Sequence, residues 1–380
     1  MTEIFEGQLV LPENVRYGQV VIKEGRIDTI HYNPEDFLTP TVKVPDDQYI
    51  CPGFVDIQIN GAFGKEFKSD VDAVEVIRTK LPKFGTTSFC PTVTTRPLDT
   101  YQDHVETLMQ RVGTELGAKI IGMHLEGPFL NPSKVGAQNA ALLHNPIDCP
   151  YEKYATEHIE IVTISPELEG SKEFIDRLIA DGKKVGVGHS LIDYKELIDL
   201  FDSNNMMIVH VFNAMADLNS RKPGVVGAAL EKDEYFVSLI ADGIHVDPVT
   251  VRIFWKSKTD KKKVICITDG SAVSGMDVGI HKIGSRSIEK REDRAVLEGT
   301  ETLVGSTLTL NVAARNLKAF TNCSLNEAIN AVSLNPATYL GRQDEIGQLK
   351  AGNAADIVVI DNEFEVKHTY VDGILVLSNG

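Results

Sequence analysis

From residue 50 onward, short apolar runs rich in β-branched residues alternate with longer stretches whose apolar residues recur at helical spacing. The runs are YICPGFVDIQI, TTSFCPTV, AKIIGMHLE, IEIVTISPE, KKVGVGHS, MMIVHVFN, YFVSLIAD and KVICITDG. Between them lie amphipathic segments such as VDAVEVIRTKLPKF, DTYQDHVETLMQRV, SKEFIDRLIADG, DYKELIDLFDSN and PVTVRIFWKS. Eight strands separated mostly by helices predict an α/β fold, a closed parallel (β/α)8 TIM barrel, because helical crossovers cover a parallel sheet. The alternative is an open doubly wound sheet, but no glycine-rich dinucleotide fingerprint follows the first strand.

The chain ends have another texture. GQLVL, GQVVIKEGRIDTI and TVKVP near the start are short alternating runs punctuated by Gly and Pro, and the stretch after SLNEAINAVSLNPATYL returns to that pattern. Neither piece alone buries enough apolar surface to be stable, so residues 1–50 and 348–380 are expected to meet as one small β-sandwich domain. The barrel is then assigned to 51–347.

Composition narrows the function classes. Lys and Arg total 38 against 54 for Asp and Glu, a net charge of -16 that argues against coating nucleic acid. An acidic chain can still hold a phosphate locally. The five cysteines are scattered with no CxxC spacing and read as reduced thiols. The N-terminus has no basic start followed by a long apolar stretch, and no run reaches membrane length. A cytoplasmic enzyme is expected, with neither nucleic acid nor membrane as partner.

Candidate chemistry sits where the runs stop. Glu126 follows AKIIGMHL, His189 follows KKVGVG, His210 follows MMIV and Asp269 follows KVICIT. Taken singly, each is as well explained as a hydrogen-bonded polar group, and Asp269 as a cap for the segment after it. Three candidate ligands at equivalent ends of three strands point instead to a shared divalent ion on Glu126, His189 and His210, with a position left for water. Asp269 is then the carboxylate that takes a proton and later returns it. In many metal hydrolases of this architecture the first strand ends in His-x-His and holds a second metal. Here GFVDIQING offers Gln58 and Asn60, neutral amides that ligate weakly, so one metal is expected, with both amides orienting groups behind it.

PGFVDIQINGAFG, HLEGPFLNPSKVGAQ, VGHS, HVFNAM with the downstream RKPG, IADGIHVD and ITDGSA, in this order, resemble the N-acetylglucosamine-6-phosphate deacetylases of the amidohydrolase superfamily. The resemblance runs from residue 50 to about 350, and ADIVVID is similar to the superfamily's terminal β-domain. It implies a homodimeric barrel that removes the N-acetyl group from a phosphorylated N-acetyl amino sugar, giving glucosamine 6-phosphate and acetate. It assigns Glu126, His189 and His210 to one divalent metal per subunit and Asp269 to acid/base catalysis. It further implies that Asn213, Ala214, Arg221 and the segment Asp242, Gly243, Ile244 and His245 line the sugar phosphate pocket. Arg221 is suited to the phosphate because it is always charged and bonds two oxygens at once, and it is expected to reach into the neighbouring site. Leu303, Val304 and Gly305 match the family's loop over the sugar more loosely. One departure is that Ala137 is followed by Gln138, where many members carry His; an amide NH2 can donate a similar bond to the oxyanion.

Zn heads the metals that this ligand set fits, with Fe, Co and Mn behind it. Two rivals to the glucosamine substrate are an N-acetylgalactosamine-6-phosphate deacetylase and a catalytically silent sugar phosphate sensor. A cyclic amide hydrolase is disfavoured by the missing His-x-His.

Overall fold

In the computed structural model, which describes residues 2–284 and 286–378, the run YICPGFVDIQI is split at Gly53. Gln48–Pro52 joins a sheet built from the chain ends, whereas Phe54–Ile59 opens the barrel. A Cβ at residue 53 would run into the Thr87 side chain, so glycine lets the backbone cross between the two sheets.

The barrel strands are β1 (Phe54–Ile59), β2 (Thr86–Thr94), β3 (Met123–Glu126), β4 (Ile159–Ile164), β5 (Lys184–Val187), β6 (Met206–Ile208), β7 (Phe236–Leu239) and β8 (Val264–Cys266). Each pairs in parallel with the next. Beyond β8 the Asp269 N–H donates to the Gln58 carbonyl of β1 at 2.9 Å and Gly270 bridges Ile59, which closes the ring. The alternation of runs therefore does give the (β/α)8 barrel, and the strand residues Ile57, Leu125, Val187 and Ile208, among others, are fully buried.

The crossovers follow the sequence with local exceptions. Helix Ser171–Ala180 buries Phe174, Ile175 and Leu178. Helix Pro248–Ser257 starts on Asp247, whose side chain accepts from the Val249 N–H at 2.7 Å, and buries Val251, Phe254 and Trp255. VDAVEVIRTKLPKF is instead a short helix, Ala73–Arg78, and a separate 3-10 turn, Leu81–Phe84, because Pro82 cannot continue the first. After β8 the chain makes an unforeseen antiparallel sheet, Gly279–Ile283, Arg286–Lys290 and Ala295–Leu297, before helix Leu310–Thr321. Its apolar side packs Ile283, Ile288 and Ala295 on Ala272 and Val273.

The terminal pieces meet as one sheet in which Ile357–Asp361 pairs antiparallel with Gln48–Pro52. The rings of Phe5 and Tyr370 are 4.8 Å apart although their strands are separated by two others, a span of roughly 14 Å in a flat sheet at the usual strand spacing. The sheet is therefore bent over a shared core that includes Leu9, Val20, Ile50 and Val359. Both chain ends contribute to that core. Among the described residues no helix is long and apolar enough to cross a membrane, and all five cysteines are free.

Candidate active site

The C-terminal ends of the barrel strands surround a cavity of about 210 Å³. Glu126 is the last residue of β3, and His189, His210 and Asp269 stand just beyond β5, β6 and β8. The last three have φ of +50°, +34° and +46°, a left-handed backbone that costs a non-glycine residue roughly 1–2 kcal/mol. Fixed hydrogen bonds offset this. The Ser165 hydroxyl donates to the His189 carbonyl at 2.7 Å, the His210 N–H donates to Ser238 Oγ at 2.8 Å, and the Asp269 carbonyl accepts from the Ser306 N–H at 2.8 Å. The turn at each strand end swings the side chain across the mouth of the barrel.

Glu126, His189 and His210 offer ligand atoms that all lie within 4.8 Å of one another. Glu126 Oε1 is 3.2 Å from His210 Nε2 and 3.5 Å from His189 Nε2, and all three side chains are buried. His189 Nδ1 lies 2.7 Å from the Lys134 carbonyl, which holds the ring with Nε2 facing the carboxylate. Burial works to raise the Glu126 pKa, but the two histidines win and hold its carboxyl well below the usual range. Gln58 Nε2 donates to Oε1 at 2.7 Å and Gln138 Nε2 to Oε2 at 3.0 Å. Two imidazole nitrogens and one anionic oxygen converging on a single point are a donor set that fits a zinc-like ion.

Asp269 stands beside this group. Asn60 Nδ2 donates to its Oδ1 at 2.6 Å, and its carboxyl is pushed up to about 6, first by burial and then by the charge of Glu126. Farther along the wall, His245 Nδ1 is 2.6 Å from Asp242 Oδ2, while Asp242 Oδ1 accepts the N–H groups of Ile244 and His245, each at 2.8 Å. Burial would lower the His245 pKa, but the Asp242 carboxylate raises it overall.

Residues 49–376 match the model of the Amidohydrolase family. The chain belongs to the amidohydrolase family. It is 35% identical over 376 residues to N-acetylglucosamine-6-phosphate deacetylase of Mus musculus, covering 93% of this chain and 90% of that one. It is 33% identical over 371 residues to the Bacillus subtilis (strain 168) protein of the same name, covering 95% and 93%. A solved structure of a mutant Mycobacterium smegmatis N-acetyl-D-glucosamine-6-phosphate deacetylase, in complex with N-acetyl-D-glucosamine-6-phosphate, superposes with a TM-score of 0.90 at 25% identity, covering 99% of this chain and 100% of that chain.

In this amidohydrolase, Asn60, Ala137, Gln138, Asn213, Ala214, His245, Leu303, Val304 and Gly305 line the same cavity as the triad and Asp269. Gln58 is fully buried behind Glu126. Of the segment 242–245 only His245 reaches the cavity wall, with Asp242 bonded behind it. Arg221 is exposed and outside the cavity of its own chain, and its side chain has no hydrogen bond or ion pair among the described residues.

The cavity also contains residues that the sequence reading passed over: Glu66, Lys68, Thr94, Ser271 and Arg286. Thr94 ends β2 and was findable by the strand-end rule. Arg286 comes from the inserted sheet and meets Glu66 across 220 positions of sequence, a contact that no local pattern announces. Two buried ionisable groups stand behind the site. His124 bonds the Ile57 carbonyl and Thr163 Oγ1 at 2.9 and 2.7 Å, with a pKa lowered by burial to about 4. It lies two residues before Glu126 on the same strand face, which was a readable signal. Asp56 accepts from the Thr268 hydroxyl at 2.6 Å.

Proposed function

We propose that this chain hydrolyses the N-acetyl group of N-acetyl-D-glucosamine 6-phosphate to D-glucosamine 6-phosphate and acetate. The observation that carries this reading is the convergence of Glu126, His189 and His210 with Asp269 at one barrel mouth, in a chain similar over nearly its whole length to deacetylases of that name. One divalent ion on the triad, zinc first among Zn, Fe, Co and Mn, supplies Lewis acidity, which lowers the pKa of water and polarises a carbonyl. Gln58 and Asn60 support a single ion, since their amide nitrogens donate to Glu126 and Asp269.

Asp269 accepts the proton of the attacking water and returns it to the departing amine. Asn60 aims its carboxylate, and burial leaves that carboxylate more basic than one in water. Gln138 is oriented by Thr95, whose N–H donates to its Oε1 at 2.9 Å, so its NH2 faces the site. One N–H of that group is given to Glu126 and the other is placed to receive the charge developing on the amide oxygen. Asn213, Ala214 and His245 face the sugar and its phosphate, and Leu303 to Gly305 close over the ring. Arg221 of a second copy, in a homodimer, completes the phosphate site, which accounts for a guanidinium left exposed on its own chain. Unpaired, mostly buried thiols support a cytoplasmic setting.

Acetate release from N-acetylglucosamine 6-phosphate and N-acetylgalactosamine 6-phosphate in competition tests the reading. Preferential turnover of the gluco sugar is expected. Preference for the galacto sugar would revise the substrate, and no release from either by a metal-loaded preparation would revive the silent sensor.

A further inference from the structure

One side of the cavity carries charge that the deacetylation mechanism does not use. Glu66 and Lys68 follow β1, Thr94 ends β2, and Arg286 reaches in from the inserted sheet. Arg286 is ion-paired with Glu66. Lys68 lines the cavity with no hydrogen bond from its ammonium and no carboxylate within ion-pair distance among the described residues. Two cations, Lys68 and Arg286, against one carboxylate, Glu66, leave the cluster with one net positive charge. Burial, the largest influence on Lys68, lowers its pKa, so the ammonium is held where its charge is poorly solvated. A desolvated, unpaired cation costs free energy unless an anion meets it.

The position of the cluster says which part of a substrate would meet it. β2 and β6 stand four strands apart in a ring of eight, so Thr94 and its neighbours face His210, Asn213 and Ala214 from across the mouth. In a pyranose, C2 and C5 are on opposite sides of the ring. A sugar whose C6 phosphate lies toward Asn213 and His245, and whose C2 amide lies at the triad, sends its acyl group toward Lys68. This orientation rests on the deacetylase reading above. An acetyl methyl gives an ammonium nothing to bind, whereas a carboxylate does.

We propose that Lys68 and Arg286 form a carboxylate subsite on the acyl side of the cavity. The carboxylate has two sources: the far end of a longer acyl group, as in an N-succinyl amino sugar phosphate, or the acetate released by deacetylation on its way out. Hydrolysis of the longer substrate balances as for acetyl. The water oxygen joins the acyl carbon, the C–N bond breaks, both water protons end on the amine as ammonium, and the acid departs as a dicarboxylate. Arg286, already paired with Glu66, shapes the subsite, and Lys68 supplies the unneutralised charge.

The test compares the metal-loaded wild type with Lys68→Met and Lys68→Arg. One arm measures kcat/KM for N-succinylglucosamine 6-phosphate relative to N-acetylglucosamine 6-phosphate; the other measures inhibition by sodium acetate. Losing one charge-assisted hydrogen bond is worth about tenfold or more, so Lys68→Met is expected to lower the succinyl-to-acetyl ratio or weaken acetate inhibition by about that factor. Lys68→Arg is expected to retain both. A change in the first arm alone identifies the acyl terminus as the source, and a change in the second alone identifies the product. Both arms unchanged in Lys68→Met would overturn the subsite. So would loss of inhibition by inorganic phosphate in place of acetate, because the cations would then read the other end of the sugar. Broadening of the acetate methyl resonance by the metal-loaded protein needs no turnover. If wild type releases no acetate from the sugar phosphate, the deacetylase reading fails, and this measurement, with a thermal melt as the check on folding, still decides the subsite.

Discussion

Asp269 is fixed by one short hydrogen bond from Asn60 and by its own backbone, so its charge can be removed with little change of shape. Asp269→Asn is expected to lower kcat by roughly 10²- to 10⁴-fold, the usual worth of a positioned acid/base, while metal content and substrate affinity persist. Steady-state kinetics beside metal analysis and calorimetric titration check this, and near-normal turnover would remove Asp269 from its role. Asp56 gives a stability test of opposite character. Burial pushes its carboxyl from 3.8 up to about 7, so the favourable contribution of its protonated form is complete below the unfolded value and is lost as pH rises through the folded one. The melting temperature of wild type should therefore fall relative to that of Asp56→Asn between roughly pH 4 and pH 7. A constant difference would show that Asp56 does not titrate in the fold. At this scale the sequence was most readable where a polar residue ends an apolar strand, as at Glu126, His189, His210 and Asp269. It was silent on Lys68 and Arg286, whose neighbours are assembled only by the fold.

The strand ends work because the segments beside them leave room. Gly305 has φ +53°, and a Cβ there would lie 2.6 Å from the Asp269 carbonyl. Gly305→Ala should destabilise by roughly 1–3 kcal/mol and lower kcat as Asp269 is displaced. A thermal melt with a kinetic assay reads both effects, and an unchanged kcat would separate the loop from the carboxylate. Helix Leu325–Ala331 is a contrasting case, closed by a capping box between Ser324 and Glu327 far from the cavity. Ser324→Ala should cost about 1 kcal/mol in a denaturant melt and leave kcat/KM unchanged. Regular elements were legible because periodicity is local: SKEFIDRLIADG is a helix as its apolar spacing requires. The inserted sheet was not, since GIHKI and RSIEK are short and mix charged with apolar residues, and they gain strand character only by pairing with each other.

Taken whole, the molecule is a closed barrel stitched to a bent sheet that draws strands from both chain ends. The barrel was readable from its count of runs; the bend of the sheet was not, because contacts such as Phe5 with Tyr370 lie far apart in sequence. Arg221 poses the question that belongs to this scale. If it serves the neighbouring site of a homodimer, Arg221→Ala and Asp269→Asn should each be poorly active alone. Mixed dimers should then recover turnover, since one of their two sites keeps both residues. No recovery on mixing would confine Arg221 to its own chain.

The central claim is a single-metal amide hydrolase on Glu126, His189 and His210, and metal content measured together with acetate release from N-acetylglucosamine 6-phosphate, before and after chelation, tests it most directly. The expected result is one divalent ion per chain, acetate release that disappears on chelation, and recovery when the ion is returned. Two tightly bound ions per chain, or undiminished release from the metal-free protein, would contradict it.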